Sequence, residues 1–151
     1  MQINVDDLTD PAVLDLLEEH VRELRAISPP ESSHALDLAG LRAPGVGFWV
    51  ARLDGEVVGC VALKALDARH AELKSMRTAA RHARQGVGTA LLRHVLEVAR
   101  ASGFERISLE TGSQEYFAPA RALYSRHGFA VCDPFGDYRP DPSSTLLTRS
   151  L

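Results

Sequence analysis

Apolar positions recur along this chain with two periods, near 3.6 residues in some stretches and 2 in others. Residues 2–5 read as a short first strand. Asp10 is placed to cap a helix, with Pro11 at its first position. Val13, Leu14, Leu17, Val21 and Leu24 then follow at helical spacing. Ser28-Pro29-Pro30 ends that helix, because the residue before a proline avoids helical angles. Residues 31–41 read as a loop and a short second helix. Residues 47–53 and 56–66 are strand-like runs joined by Asp54-Gly55, a strong hairpin signal. Both are apolar on both faces, which predicts central strands covered by helices. Residues 70–78 form a third strand that carries Glu72 and Lys74. Residues 85–102 form an amphipathic helix, with Leu91, Leu92, Val95, Val98 and Ala99 on one face and Gly103 at its end. A strand at 104–110, a helix at 119–127 and strands at 129–132 and 144–150 complete the order. That order is strand, two helices, three strands, helix, strand, helix, two strands. It predicts one mixed α/β (α+β) layered domain over residues 1–151.

Composition narrows the picture. A length of 151 residues suits one domain with a full core. A formal net charge of -3 argues against a nucleic-acid backbone as partner. No apolar run approaches the roughly 20 residues that span a bilayer. Asp6, Asp7 and Asp10 occupy the stretch where a secretory signal would carry a basic start and an apolar centre. Cys60 and Cys132 read as two reduced, packed thiols. The expected compartment is the cytoplasm.

The sharpest local feature is Arg84-Gln85-Gly86-Val87-Gly88-Thr89, between a strand and a long helix. Glycines there let backbone N–H groups turn toward an anion, and the helix start adds its positive dipole end. A pyrophosphate is the natural ligand. A P-loop would need Gly-Lys-Ser/Thr, and no such triplet follows Gly88. A dinucleotide fingerprint would need a small residue where Leu91 stands.

The context of this loop resembles the coenzyme-binding motif of the GNAT N-acetyltransferases. In that family a strand leads to Arg/Gln-x-x-Gly-x-Gly/Ala and then a helix. Here the pattern falls on Ala83-Arg84-Gln85-Gly86-Val87-Gly88. A second family signature, Ala-x-x-Leu-Tyr-x-x-x-Gly-Phe, is matched from Ala120 through Leu123-Tyr124 to Gly128-Phe129. The element order is similar across nearly the whole chain. Residues 70–78 with 109–112 further resemble a bacterial YsnE-like branch. Two positions depart from the pattern: Ala83 stands where Arg or Gln is preferred, and Phe117 where Asn is frequent. Arg81 and Arg84 lie close enough in sequence to replace the first contact.

The resemblance implies a GNAT fold, with a mostly antiparallel sheet of about six or seven strands and about four helices. A parallel pair would splay apart to admit the pantetheine arm of acetyl-CoA. It also implies that the main chain of Met76, Arg77 and Thr78 holds that arm. Arg84, Gln85, Gly86, Val87, Gly88 and Thr89 would hold the pyrophosphate. The acetyl group would pass to an amine, and homodimers are frequent in such proteins.

That reaction needs an amine freed of its proton, a stabilised oxyanion and a protonated leaving thiolate. Glu72 is the first candidate for the base. Glu110 is its rival, as base or as the group that binds a cationic substrate. The family's helix tyrosine falls on Tyr124, the candidate acid, and the oxyanion donor would be the N–H of Met76. His34 and Tyr138 lie in loops that border the acceptor site in this family. The six histidines make no metal spacing with cysteines or carboxylates, so no metal is expected. The leading reading is an enzyme acting on a small-molecule primary amine. The alternatives are an acyl-CoA-binding module without turnover and a protein or peptide acetyltransferase.

Overall fold

A computed structural model describes residues 1–27 and 38–151. The predicted order of elements is the observed one. Strand β1 (Gln2–Val5) leads to α1 (Pro11–Ile27), α2 (Leu38–Leu41), β2 (Val46–Leu53), β3 (Glu56–Ala65) and β4 (His70–Thr78). Then come α3 (Val87–Ala101), β5 (Arg106–Gly112), α4 (Ala118–Arg126), β6 (Ala130–Val131) and β7 (Ser144–Ser150). The strands form one sheet in the order β1-β2-β3-β4-β5-β7-β6. Among the described strands only β4 and β5 pair in parallel; the other neighbours are antiparallel. This is the mixed, mostly antiparallel α/β architecture that the sequence led us to expect.

Local chemistry sets the boundaries. The Asp10 carboxylate accepts from the Ala12 N–H at 2.9 Å and caps α1. Asp54 (φ 51°) and Gly55 (φ 82°) both take the left-handed conformation that a tight hairpin between β2 and β3 demands. Helix α3 starts at Val87 instead of Gln85, because Arg84 (φ 63°) and Gly86 (φ 83°) are both left-handed and cannot propagate a helix. Strand β5 starts at Arg106 instead of Phe104. The Phe104 N–H is spent on the Ala99 carbonyl, closing the end of α3 at 3.1 Å.

Two apolar layers sandwich the sheet. Val13, Leu16 and Leu17 of α1 with Leu41 of α2 pack on Phe48, Val50, Cys60 and Ala62. On the other face, Val87, Leu91, Leu92, Val95 and Leu96 of α3 with Tyr124 of α4 pack on Val61, Leu73, Ile107, Leu109 and Leu147. Gly59 lets α3 sit close: a Cβ there would meet Val87 and Leu91 at 2.8 and 2.9 Å. Strand β3 is buried along most of its length and β2 through its centre, as two-sided apolar runs require.

Candidate active site

The parallel pair is short. His70–Leu73 of β4 matches Arg106–Leu109 of β5, and pairing stops there. Each strand keeps its other neighbour. β4 stays on β3 through Thr78, and β5 stays on β7 through Gly112. Residues 74–78 and 110–112 therefore border an opening in the middle of the sheet, and a cleft of about 710 Å³ runs through it. A β-bulge marks the same place. The β3 register passes from Cys60↔Arg77 to Ala62↔Lys74, so Ser75 and Met76 together oppose Val61. Ser75 is left-handed (φ 52°), and its carbonyl accepts from the Cys60 thiol at 3.3 Å.

Side-chain alternation divides the cleft into two sides. Ala71, Leu73, Ile107 and Leu109 face α3 and α4. Glu72, Ser108 and Glu110 alternate with them, and so face the α1 side.

On the α3 side, Gly86, Val87, Gly88 and Thr89 line the cleft with Met76 and Thr78. The first amides of α3 are unpaired helix donors aimed at this end. A Cβ built at Gly86 would meet nothing within 4 Å, so its backbone borders open space. Gly88 is tighter, with Leu123 at 3.3 Å from such a Cβ. An open backbone of positive helix-end donors fits a pyrophosphate. Arg84 and Ala83 also line this end. Two neighbours are engaged elsewhere. Arg81 pairs with Glu56, and the Gln85 side chain meets His82 Nδ1 at 3.2 Å.

Tyr124 lies on this side, 5% exposed and in edge contact with Phe129. Its hydroxyl hydrogen-bonds to none of the described residues. Burial, with the charge of Glu110, pushes the phenol above its ordinary range.

On the α1 side, Glu72 is 3% exposed. Its Oε2 accepts from the Tyr138 hydroxyl at 2.6 Å and from Lys74 Nζ at 3.1 Å. Lys74 also donates to the Tyr138 oxygen at 3.1 Å, closing a three-membered cluster. Burial and the Glu72 charge push the Tyr138 phenol upward, so it remains a proton donor. Glu110 Oε2 accepts from Ser144 Oγ at 2.7 Å. Farther along, the Arg77 guanidinium bridges Glu19 (2.8 Å) and Glu23 (2.6 Å) of α1, and Tyr116 donates to Glu23 at 2.5 Å. Beside it, burial and the Arg77 charge push the His20 imidazole down to about 4.

Of the residues singled out from sequence, Glu72, Met76, Arg77, Thr78, Arg84, Gly86, Val87, Gly88, Thr89, Glu110, Tyr124 and Tyr138 meet at this one cleft. Gln85 does not line it, and His34 lies outside the described residues. Lys74, two residues from Glu72 on one strand face, is the pairing partner that alternation offers. Two features gave no sequence signal. Ser75 is not a residue type that announces a left-handed backbone. The Arg77 ion cluster joins residues 54 and 58 positions apart.

The family model for GNAT acetyltransferases matches residues 13–129. The chain belongs to the GNAT acetyltransferase family. It is 51% identical to the N-acetyltransferase YsnE of Bacillus subtilis (strain 168), over the whole of both chains. It is 42% identical to the IAA acetyltransferase of Azospirillum brasilense, covering 93% of this chain and 91% of that one. A solved GNAT family acetyltransferase from Elizabethkingia anophelis with acetyl-CoA bound shares the fold. Its TM-score is 0.69 at 20% identity, with 99% of this chain and 97% of that chain covered. The protein is an acetyl-CoA-dependent N-acetyltransferase of the GNAT type. No described helix is long and apolar enough to cross a membrane.

Proposed function

We propose that this N-acetyltransferase acetylates a primary amine of a small cationic molecule by direct attack, with Glu72 as base and Tyr124 as acid. The observation that carries the reading is the position of Glu72. It stands one residue before the last shared pair of β4 and β5, buried at the opening of the sheet. Glu72 and Glu110 stand on facing strands at the opening, where an acceptor's positive charge would meet them, while Arg84 and Arg126 line the cleft beside the glycine loop and α4. A relative named for one small molecule, IAA, is consistent with a small acceptor.

Acetyl-CoA supplies the thioester-bound acetyl group. Its pyrophosphate fits the amides of Gly86, Val87, Gly88 and Thr89 with the Arg84 cation. Its amide-rich arm fits the exposed main chain of Met76, Arg77 and Thr78. Glu72 takes the proton that the amine loses as the new C–N bond forms, directly or through water. The Met76 N–H, at the bulge, is the donor for the carbonyl oxygen. As the C–S bond breaks, Tyr124 gives its hydroxyl proton to the sulfur. Burial raises the phenol, so it keeps its proton until the sulfur leaves. Glu110 attracts the acceptor's positive charge on the facing strand.

Steady-state kinetics of Glu72→Gln and Glu110→Gln test the assignment. Glu72→Gln lowers kcat by roughly 10²–10⁴ with acetyl-CoA affinity unchanged. Glu110→Gln raises KM for the amine more than it lowers kcat. The reverse pattern transfers the base role to Glu110.

A further inference from the structure

The two oxygens of the Glu72 carboxylate are not equivalent. Both side-chain partners hold the same atom, Oε2: the Tyr138 hydroxyl at 2.6 Å and Lys74 Nζ at 3.1 Å. Among the described residues, no group holds Oε1. The two partners also hold each other. Lys74 Nζ donates to the Tyr138 oxygen at 3.1 Å and lies 5.5 Å from the centre of its ring. The Tyr138 oxygen thus accepts from the ammonium and donates to the carboxylate, using both of its hydrogen-bonding roles in one direction.

The partners come from different places. Lys74 is two residues from Glu72 on the same strand and the same face. Tyr138 arrives from the 132–143 connection between β6 and β7, 66 residues away. That connection is seated by Phe135, whose ring meets Tyr138 at 5.1 Å and His70 at 5.7 Å. A buried carboxylate on a strand has three rotatable bonds and no intrinsic reason to present one oxygen. Two donors on Oε2 remove that freedom and leave Oε1 as the oxygen available to a group in the cleft that Glu72 lines.

We infer that Lys74 and Tyr138 are positioning residues, which clamp Oε2 of Glu72 so that Oε1 alone receives the proton of the acceptor amine. This rests on the reading of Glu72 as the base. Proton transfer depends on a donor–acceptor approach near hydrogen-bond distance, so a carboxylate free to rotate loses rate even while it stays charged. Neither partner needs to touch the substrate.

The test is a double-mutant cycle on kcat, with Tyr138→Phe, Lys74→Met, Lys74→Arg and each of the first two combined with Glu72→Gln. Folding is monitored by thermal denaturation, and coenzyme affinity by titration with acetyl-CoA. Tyr138→Phe and Lys74→Met each lower kcat by roughly tenfold to a hundredfold, with acetyl-CoA affinity retained. In the Glu72→Gln background neither causes further loss, because the group they orient is gone. Lys74→Arg, which keeps a cationic donor, recovers most of the rate. The clamp is overturned by losses that multiply undiminished on Glu72→Gln, or by a Tyr138→Phe enzyme as fast as the parent while Glu72→Gln is slow. A Glu72→Gln enzyme with full turnover instead overturns the base assignment, and the clamp with it.

Discussion

The ring of Phe117 lies directly against Gly112, with no room for a Cβ between them. Phe117 occupies the position where the family often has asparagine, and the contact gives a reason. Gly112 ends β5 beside the opening, and Phe117 wedges the chain before α4 against it. Arg121 secures the same corner, donating to the carbonyls of Gly112 and Gln114 at 2.7 and 2.9 Å. Gly112→Ala forces the ring away and lowers stability by about 1–3 kcal/mol, read as a lower denaturant midpoint with unchanged slope. An unchanged midpoint removes the wedge.

Tyr124→Phe separates catalysis from packing. The hydroxyl makes no hydrogen bond to the described residues, whereas the ring packs on Phe129 at 5.7 Å. Removing the oxygen therefore leaves the melting temperature nearly unchanged. It lowers kcat by roughly 10²-fold if the phenol protonates the leaving sulfur. A silent kinetic result with an intact fold makes Tyr124 a core residue only.

Gly86→Val tests the coenzyme cradle. The residue is left-handed at φ 83° and its backbone borders open space, so a branched side chain both strains the loop and covers its amides. The expected outcome is acetyl-CoA binding weakened by tenfold or more in calorimetry, about 1.4 kcal/mol per factor of ten. Unchanged affinity with an unchanged fold would move the pyrophosphate elsewhere.

His20 gives the protein a defined acid sensitivity. Its imidazole is held down to about 4 in the fold, against an ordinary value of 6.5. Between those values the unfolded chain binds a proton that the native state excludes, so stability falls as pH drops from 6.5 toward 4. Glu23, lowered chiefly by its hydrogen bond to Arg77, adds its own loss below the ordinary 4.5. His20→Gln therefore flattens melting temperature between pH 6.5 and 4.5 and leaves the steeper decline below. An identical slope in parent and variant contradicts the burial of a neutral His20.

Much of the scaffold was legible because its signals are local. The strands at Gln2–Val5, His70–Thr78 and Ser144–Ser150 fall where the pattern places them, and the Asp10 cap and the Asp54-Gly55 hairpin follow from residue type alone. The end of β5 was less legible. It runs past Glu110 to Gly112 because pairing with Thr145 and Ser144 continues after β4 has left, a long-range fact. The cleft was legible as motifs, but its internal wiring was not. Lys74 is a local partner, two residues from Glu72 on one strand face, but Tyr138 is 66 residues away and nothing near it in sequence indicates that it meets Glu72.

The central claim is acetyl transfer to a small cationic amine. Its most direct test is thiol release from acetyl-CoA by the purified protein across monoamines, polyamines, amino acids and short peptides. The expected release depends on the amine, is fastest with small cations lacking a carboxylate, and is largely lost in Glu72→Gln. Release confined to peptides, or none above the amine-free background with acetyl-CoA shown to bind, would contradict it.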